Sequence, residues 1–400
     1  MENIKGGVTA PKGFLCSGLR AGIKQWSRDL GLLYSEVPAT AAGIFTTSRL
    51  QGAPLFVTRE HLRGGRLQAV IVNSGNANCC TGKRGIQDAR RMASLAAKGL
   101  EISERLVAVC STGVIGVYLP MDRIKRKIPV LVSDLNRKNH LEFSESILTT
   151  DKRIKESAIR FRLGSRMATI GAVCKGSGMI YPRMATMLCF IATDVAIETR
   201  LLQSALKETG EETFNRITVD GDTSPNDTVL LLANGFCGNA PIKSAAEKSF
   251  KAFEKVLLSV MQELAEKIVA DGEGVTQVAE VIVAHAKSEE EALRACRTVA
   301  NSSLVKTALY GRDANWGRIA ASVGASGVSF SEEQLSIVLG GVPFLRKGNP
   351  VSLGKNRLRG LFKQNPLKIQ IDLGAGNAQA SMLTGDLTDE YIRMNAHYRT

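Results

Sequence analysis

The chain alternates between short, unbroken apolar runs and longer stretches in which apolar residues recur every third or fourth position. The first pattern is that of strands buried on both faces, and the second is that of amphipathic helices. Residues 66–73 and 106–110 predict strands, each emptying into a small polar loop. Those loops are Ser74-Gly75-Asn76-Ala77-Asn78 and Ser111-Thr112-Gly113-Val114-Ile115-Gly116. Helical spacing predicts helices over 86–100, 197–209, 249–269 and 289–300. A further helix over 121–127 is expected to stop at Pro129. Strands are also predicted over 167–174, 229–233, 276–285 and 368–373, with short strands returning through the last hundred residues. Together these predict an α/β (α+β) layered sandwich with functional loops at strand ends.

One stretch joins two opposed patterns. Residues 175–183 carry two glycines, a serine and a proline and read as an exposed loop, whereas 184–193 are almost unbroken apolar residues and read as a buried strand. Thr186 sits just inside that junction, after Ala185. From residue type alone it is a β-branched strand former. The position also lets a hydroxyl be held rigidly beside a loop with room for a ligand.

Composition narrows the classes. With 44 % apolar and 22 % charged residues and no run of eighteen apolar positions, the chain reads as a globular protein without a membrane span. Residues 1–7 lack the charged-then-apolar pattern of a signal peptide and the Arg/Ser richness of a transit peptide, so a cytoplasmic location is expected. None of the eight cysteines forms a Cys-x-x-Cys pair, so they read as small buried hydrophobes and no metal site is expected. The net charge of +14 raises nucleic acid as a partner. The basic residues are spread, however, and their one dense cluster, Arg123 to Lys127, reads as a solvated helix face. With aromatics at only 5 %, base stacking has little to work with, and no nucleic-acid partner is expected. The glycines at 75 and 82 miss the spacing of a phosphate-binding loop, and those at 374 and 376 lie too near the end for a dinucleotide fold.

The string from Lys175 to Asp194, with Met184-Ala185-Thr186-Met187-Leu188 at its centre, resembles the self-cleavage segment of the ornithine acetyltransferase (glutamate N-acetyltransferase) family. The likeness extends through residues 72–78, 218–228 and 313–318 and covers essentially the whole chain. It implies cleavage between Ala185 and Thr186, giving an α chain of 1–185 and a β chain of 186–400 that stay associated as α2β2. A freed α-amine has a pKa of about 7.7–8.0 and can take the proton of its own hydroxyl, so Thr186 needs no histidine.

The resemblance assigns the remaining roles. Thr112 and Gly113 form the oxyanion hole. Thr149, Lys175, Thr186, Glu273, Asn395 and Thr400 contact substrate, with the neighbouring Thr150 an alternative to Thr149. A lysine suits a substrate carboxylate and an acid suits a substrate ammonium. The implied reaction moves acetyl from N2-acetyl-L-ornithine to L-glutamate, releasing ornithine, in the cyclic route to arginine. No cofactor is required, and acetyl-CoA stays open as a second acetyl donor. A self-cleaving amidohydrolase or aminopeptidase of related architecture is the alternative. Three residues depart from the family pattern: Tyr181, Arg183 and His397.

Overall fold

The computed structural model describes residues 1–181, 187–353 and 360–397. The first strands are β1 (Glu2–Asn3), β2 (Phe14–Leu19), β3 (Leu30–Phe45), β4 (Arg66–Asn76), β5 (Val107–Val114), β6 (Lys155–Leu163), β7 (Arg166–Lys175) and β8 (Leu188–Thr193). They are followed by β9 (Ile217–Thr218), β10 (Thr228–Ala233), β11 (Val278–Ala286), β12 (Ser336–Leu339), β13 (Val342–Arg346), β14 (Asn349–Pro350), β15 (Leu367–Asp372) and β16 (Ala378–Gly385). The helices of the first half are α1 (Ala53–Leu62), α2 (Gly82–Leu100), α3 (Met121–Ser133) and α4 (His140–Ile147). Those of the second half are α5 (Thr199–Glu212), α6 (Lys248–Ala270), α7 (Glu289–Ala300), α8 (Ser303–Tyr310), α9 (Trp316–Gly324) and α10 (Asp389–His397).

The strands form two mixed sheets between helical layers. The larger runs β1-β6-β7-β8-β10-β3-β4-β5, with β2 paired to β3, and the smaller runs β14-β13-β12-β15-β11-β16-β9. Every residue of β8 and β10 is buried. Cys189 and Ile191 face α5 and α6, while Leu188, Phe190 and Ala192 face the layer that holds α4. Burial on both faces is why these segments read as continuous apolar runs rather than alternating ones. In the smaller sheet β15 alternates buried and exposed residues, because only its inner face is covered by α7, α8 and α9.

The larger sheet does not respect the 185/186 boundary. Its strands β8 and β10, from beyond residue 186, are inserted between β7 and β3, from before it. β8 pairs antiparallel with β7 and parallel with β10, which in turn pairs antiparallel with β3.

Several expectations need correcting. Residues 74–76 and 111–114, read as loops, belong to β4 and β5, where Ser74 pairs with Thr112 and Gly75 with Gly113. Each strand has an equally small, polar partner, so pairing continues where composition signals a turn. Helix α3 does not stop at Pro129 but runs to Ser133. Proline forfeits one backbone bond there, but Ile124, Ile128 and Leu131 continue the buried stripe through it. Of the apolar run expected as a strand over 184–193, Leu188–Thr193 is strand β8, and 184–186 lie outside the described residues. The last hundred residues hold α8, α9 and α10 as well as strands. Seven of the cysteines are buried as expected, but Cys80 is exposed. The cations at 123 and 125–127 are exposed on α3, a solvated face as read.

Candidate active site

The ends of β4, β5 and β7, the turn 218–228 and the segment 271–275 enclose a cavity of about 310 Å³. Its walls include Thr112, Gly113, Thr149, Lys175, Glu273 and Asn395, six candidates drawn from positions nearly three hundred residues apart. Thr150 lines it too, so both threonines of the pair face the space. Ala185, Thr186 and Thr400 lie outside the described residues.

One wall is made of backbone and hydroxyl. Gly113 has φ +129°, and a Cβ there would fall on the backbone of Gly75 and Asn76, so the position demands glycine. Thr112 is 5 % exposed, and its hydroxyl takes no hydrogen bond among the described residues. The strand ends are held by Ser111 Oγ donating to Asn73 Oδ1 at 2.6 Å and Asn73 Nδ2 donating to the Asn76 carbonyl at 2.9 Å. Asn226 braces both strands, its Nδ2 donating to the carbonyls of Ala77 (2.6 Å) and Ser111 (2.8 Å). Such a wall presents donors with no net charge, the arrangement that suits a developing oxyanion.

The opposite wall is charged. Lys175 is 3 % exposed, and its ammonium makes no hydrogen bond among the described residues; its nearest carboxylate oxygen is Asp151 Oδ2 at 4.0 Å. Burial lowers the Lys175 pKa, and Lys155 adds to this, while Asp151 opposes it. Glu273 Oε2 accepts from Asn395 Nδ2 at 2.8 Å. Gly178 packs on that carboxyl so closely that a Cβ would meet it at 2.6 Å. Asp220 and Asp222 complete the acidic side. Burial raises the Asp220 pKa to about 6, although the N–H groups of Met179, Asp222 and Ile180 donate to it. A lysine whose ammonium makes no hydrogen bond among the described residues, facing carboxylates across a cavity of this size, fits an amino acid carrying both charges.

Just behind the cavity, Asp227 is wholly buried, and its Oδ1 accepts the N–H of Met187 at 3.1 Å. The Met187 carbonyl accepts from Thr228 N at 3.0 Å, so residue 187 is gripped at both ends of its backbone. Burial pushes the Asp227 carboxyl well above the usual carboxylate range.

Asp151, Asp220, Asn226, Asp227 and Tyr391 did not emerge as site residues from sequence reading. Asp151 and Lys155 stand four apart in a polar stretch and look like surface charges; only their near-complete burial singles them out. Among the described residues no cluster of His, Cys, Asp or Glu is placed to hold a metal, and no helix is long and apolar enough to cross a membrane.

The chain is 44 % identical over 403 residues to the arginine biosynthesis bifunctional protein ArgJ of Symbiobacterium thermophilum, with the whole of both chains covered. It is 43 % identical over 401 residues to the protein of that name from Listeria monocytogenes, again over the whole of both. A crystal structure of the Mycobacterium tuberculosis ornithine acetyltransferase complexed with ornithine is 36 % identical, with a TM-score of 0.43, and covers 46 % of this chain and 98 % of that one. The ArgJ family model matches residues 15–400, and the chain belongs to the ArgJ family.

Proposed function

We propose that this chain is an acetyltransferase of arginine biosynthesis that carries acetyl from N2-acetyl-L-ornithine to L-glutamate through an ester on Thr186. The observation that carries the reading is the convergence of Thr112, Gly113, Thr149, Lys175, Glu273 and Asn395 on one cavity. Asp227, which holds the backbone of Met187, the residue after the nucleophile, directly follows the cavity-lining Asn226 in the chain.

The chemistry runs in two halves. The Thr186 hydroxyl attacks the acetyl carbon, its proton passing to the Thr186 α-amine, while Thr112 and Gly113 donate to the oxyanion. The carbon–nitrogen bond breaks, and ornithine leaves with that proton. The amine of glutamate then attacks the ester, and Thr186 leaves with its hydroxyl restored. Lys175 takes the substrate carboxylate, and Glu273, oriented by Asn395, takes an ammonium. Thr149 and Thr400 complete the substrate contacts, and acetyl-CoA can serve as a second acetyl donor. Maturation begins with Thr186 attacking the Ala185 carbonyl, after which water frees the α chain. The α and β chains stay together as α2β2.

Intact mass and a transfer assay test this together. The expected masses are those of fragments 1–185 and 186–400, with acetylglutamate formed from acetylornithine and glutamate. Thr186→Ala is expected to stay in one piece and lose transfer. An active wild-type enzyme that remains uncut would overturn the mechanism. Release of acetate without acetylglutamate would instead favour an amidohydrolase.

A further inference from the structure

Beneath the charged wall lies a cluster of ions that the reaction above does not use. Lys155 Nζ donates to Asp151 Oδ1 at 2.7 Å and to Asp271 Oδ2 at 2.5 Å, with side-chain exposures of 1 %, 0 % and 6 %. Asp151 Oδ1 also accepts from Gly176 N at 2.7 Å, and its Oδ2 accepts from Thr149 N at 3.1 Å. Asp271 Oδ2 accepts from the backbone of Lys152 (3.1 Å) and Arg153 (3.2 Å). The Asp271 carbonyl accepts from Ser177 Oγ at 3.0 Å, and the Ser177 carbonyl accepts from Glu273 N at 2.9 Å. Thr149, Lys175 and Glu273 come from three separate stretches of chain, and all hang from this one cluster.

Asp151 has a second duty that Asp271 lacks. Its Oδ2, the oxygen not shared with Lys155, is the one that faces Lys175 at 4.0 Å. Building on the acetyltransferase reading, we infer that Asp151 is a positioning residue: it keeps Lys175 charged and aimed into the cavity, ready for the substrate carboxylate. Lys155 neutralises the excess negative charge and locks Asp151 in place. The groups acting on Lys175 are Asp151, Lys155, Asp227, Glu273 and, from the strand-connecting segment 20–29, Lys24. Burial and Lys155 favour its neutral form; Asp151 is the strongest of the charges that oppose them. Loss of Asp151 therefore makes Lys175 shed its proton at lower pH.

The test is Asp151→Asn, which keeps one oxygen to accept from Gly176 N and Lys155, gives up the bond from Thr149 N and removes the charge. Steady-state kinetics with acetylornithine are followed from pH 6 to 9. Expected is a basic limb of kcat/KM displaced toward acid by about one unit. This appears as a rise in KM that grows with pH while kcat changes little. Replacing Lys175 by Arg in the Asp151→Asn background restores a permanent cation and is expected to flatten the pH dependence. A uniform fall in kcat at every pH, with an unmoved profile, overturns the inference, because a merely structural role predicts that. Should Asp151→Asn fail to fold by circular dichroism, Asp151→Ser, which also removes the charge but leaves Lys155 paired with Asp271, carries the same test. A wild-type enzyme that transfers no acetyl defeats the acetyltransferase reading itself; an unmoved profile in an active variant defeats only the role of Asp151.

Discussion

Lys155, under the cavity, is 1 % exposed and meets two carboxylates, Asp151 at 2.7 Å and Asp271 at 2.5 Å. Lys306, on α8 beside the smaller sheet, is 4 % exposed and meets no carboxylate within ion-pair distance among the described residues. Among the described residues its ammonium donates to Thr384 Oγ1, at 3.0 Å, and to the Gly385 carbonyl. Burial acts on both in the same direction. At Lys155 the carboxylates outweigh it and hold the pKa above the ordinary lysine value, whereas at Lys306 burial wins and the pKa falls to about 8. Depth in the protein therefore does not set the charge of a lysine; its partners do. Lys175 stands between these cases, as buried as either but with its donors unspent, which is the state suited to a ligand that brings its own anion.

The comparison can be broken at its strongest point by Lys155→Met. That change leaves Asp271 without the ammonium it meets and Asp151 with only the more distant Lys175, and urea denaturation is expected to show a loss of about 3–5 kcal/mol. A loss below 1 kcal/mol would mean that the cluster is not held by its charges. Lys306 is expected to act more weakly and through pH. Its folded pKa lies below that of the unfolded chain, so between about pH 8 and 10.5 the unfolded chain holds a proton that the folded one lacks. Stability contributed by this group therefore rises across that window, by on the order of 2–3 kcal/mol. Denaturation curves of Lys306→Met are expected to lack that rise.

The mirror case among acids is Asp227, whose pKa is raised by burial. Its contribution is fully present below the unfolded carboxylate value and is lost as pH climbs through the raised one. Asp227→Asn keeps an acceptor for Met187 and is expected to narrow the difference in Tm between pH 5 and pH 8, by about one to three degrees. This is the smallest of the three effects, and differential scanning calorimetry at the two pH values would read it.

Much of the scaffold was legible because its periodicities are unambiguous. The helix expected over 289–300 is α7 with those bounds, and α6 differs from its expected span by one residue at each end. Strands β7, β8 and β10 declared themselves by apolar runs that only two-sided burial explains. The wall of backbone and hydroxyl was harder to read. Thr112 and Gly113 look like a turn, and they are strand only because β4 offers partners equally small. Least visible was the support of the charged wall. An acid and a lysine four residues apart give no sign that an aspartate 120 positions later will close the cluster, since that depends on how α6 ends against β6. The residues that line the cavity were named through family resemblance, and no periodicity in the chain would have gathered them.

The position of β8 has a consequence for the proposed cleavage. With the link before Thr186 open, β8 and β10 belong to one polypeptide, and the strands that flank them, β7 and β3, belong to the other. The two pieces then share a single core and melt as one body. Renaturation, however, would turn from a first-order event into an encounter between separate fragments, so a molecule once cut could not regain its fold by the route that a single thread takes.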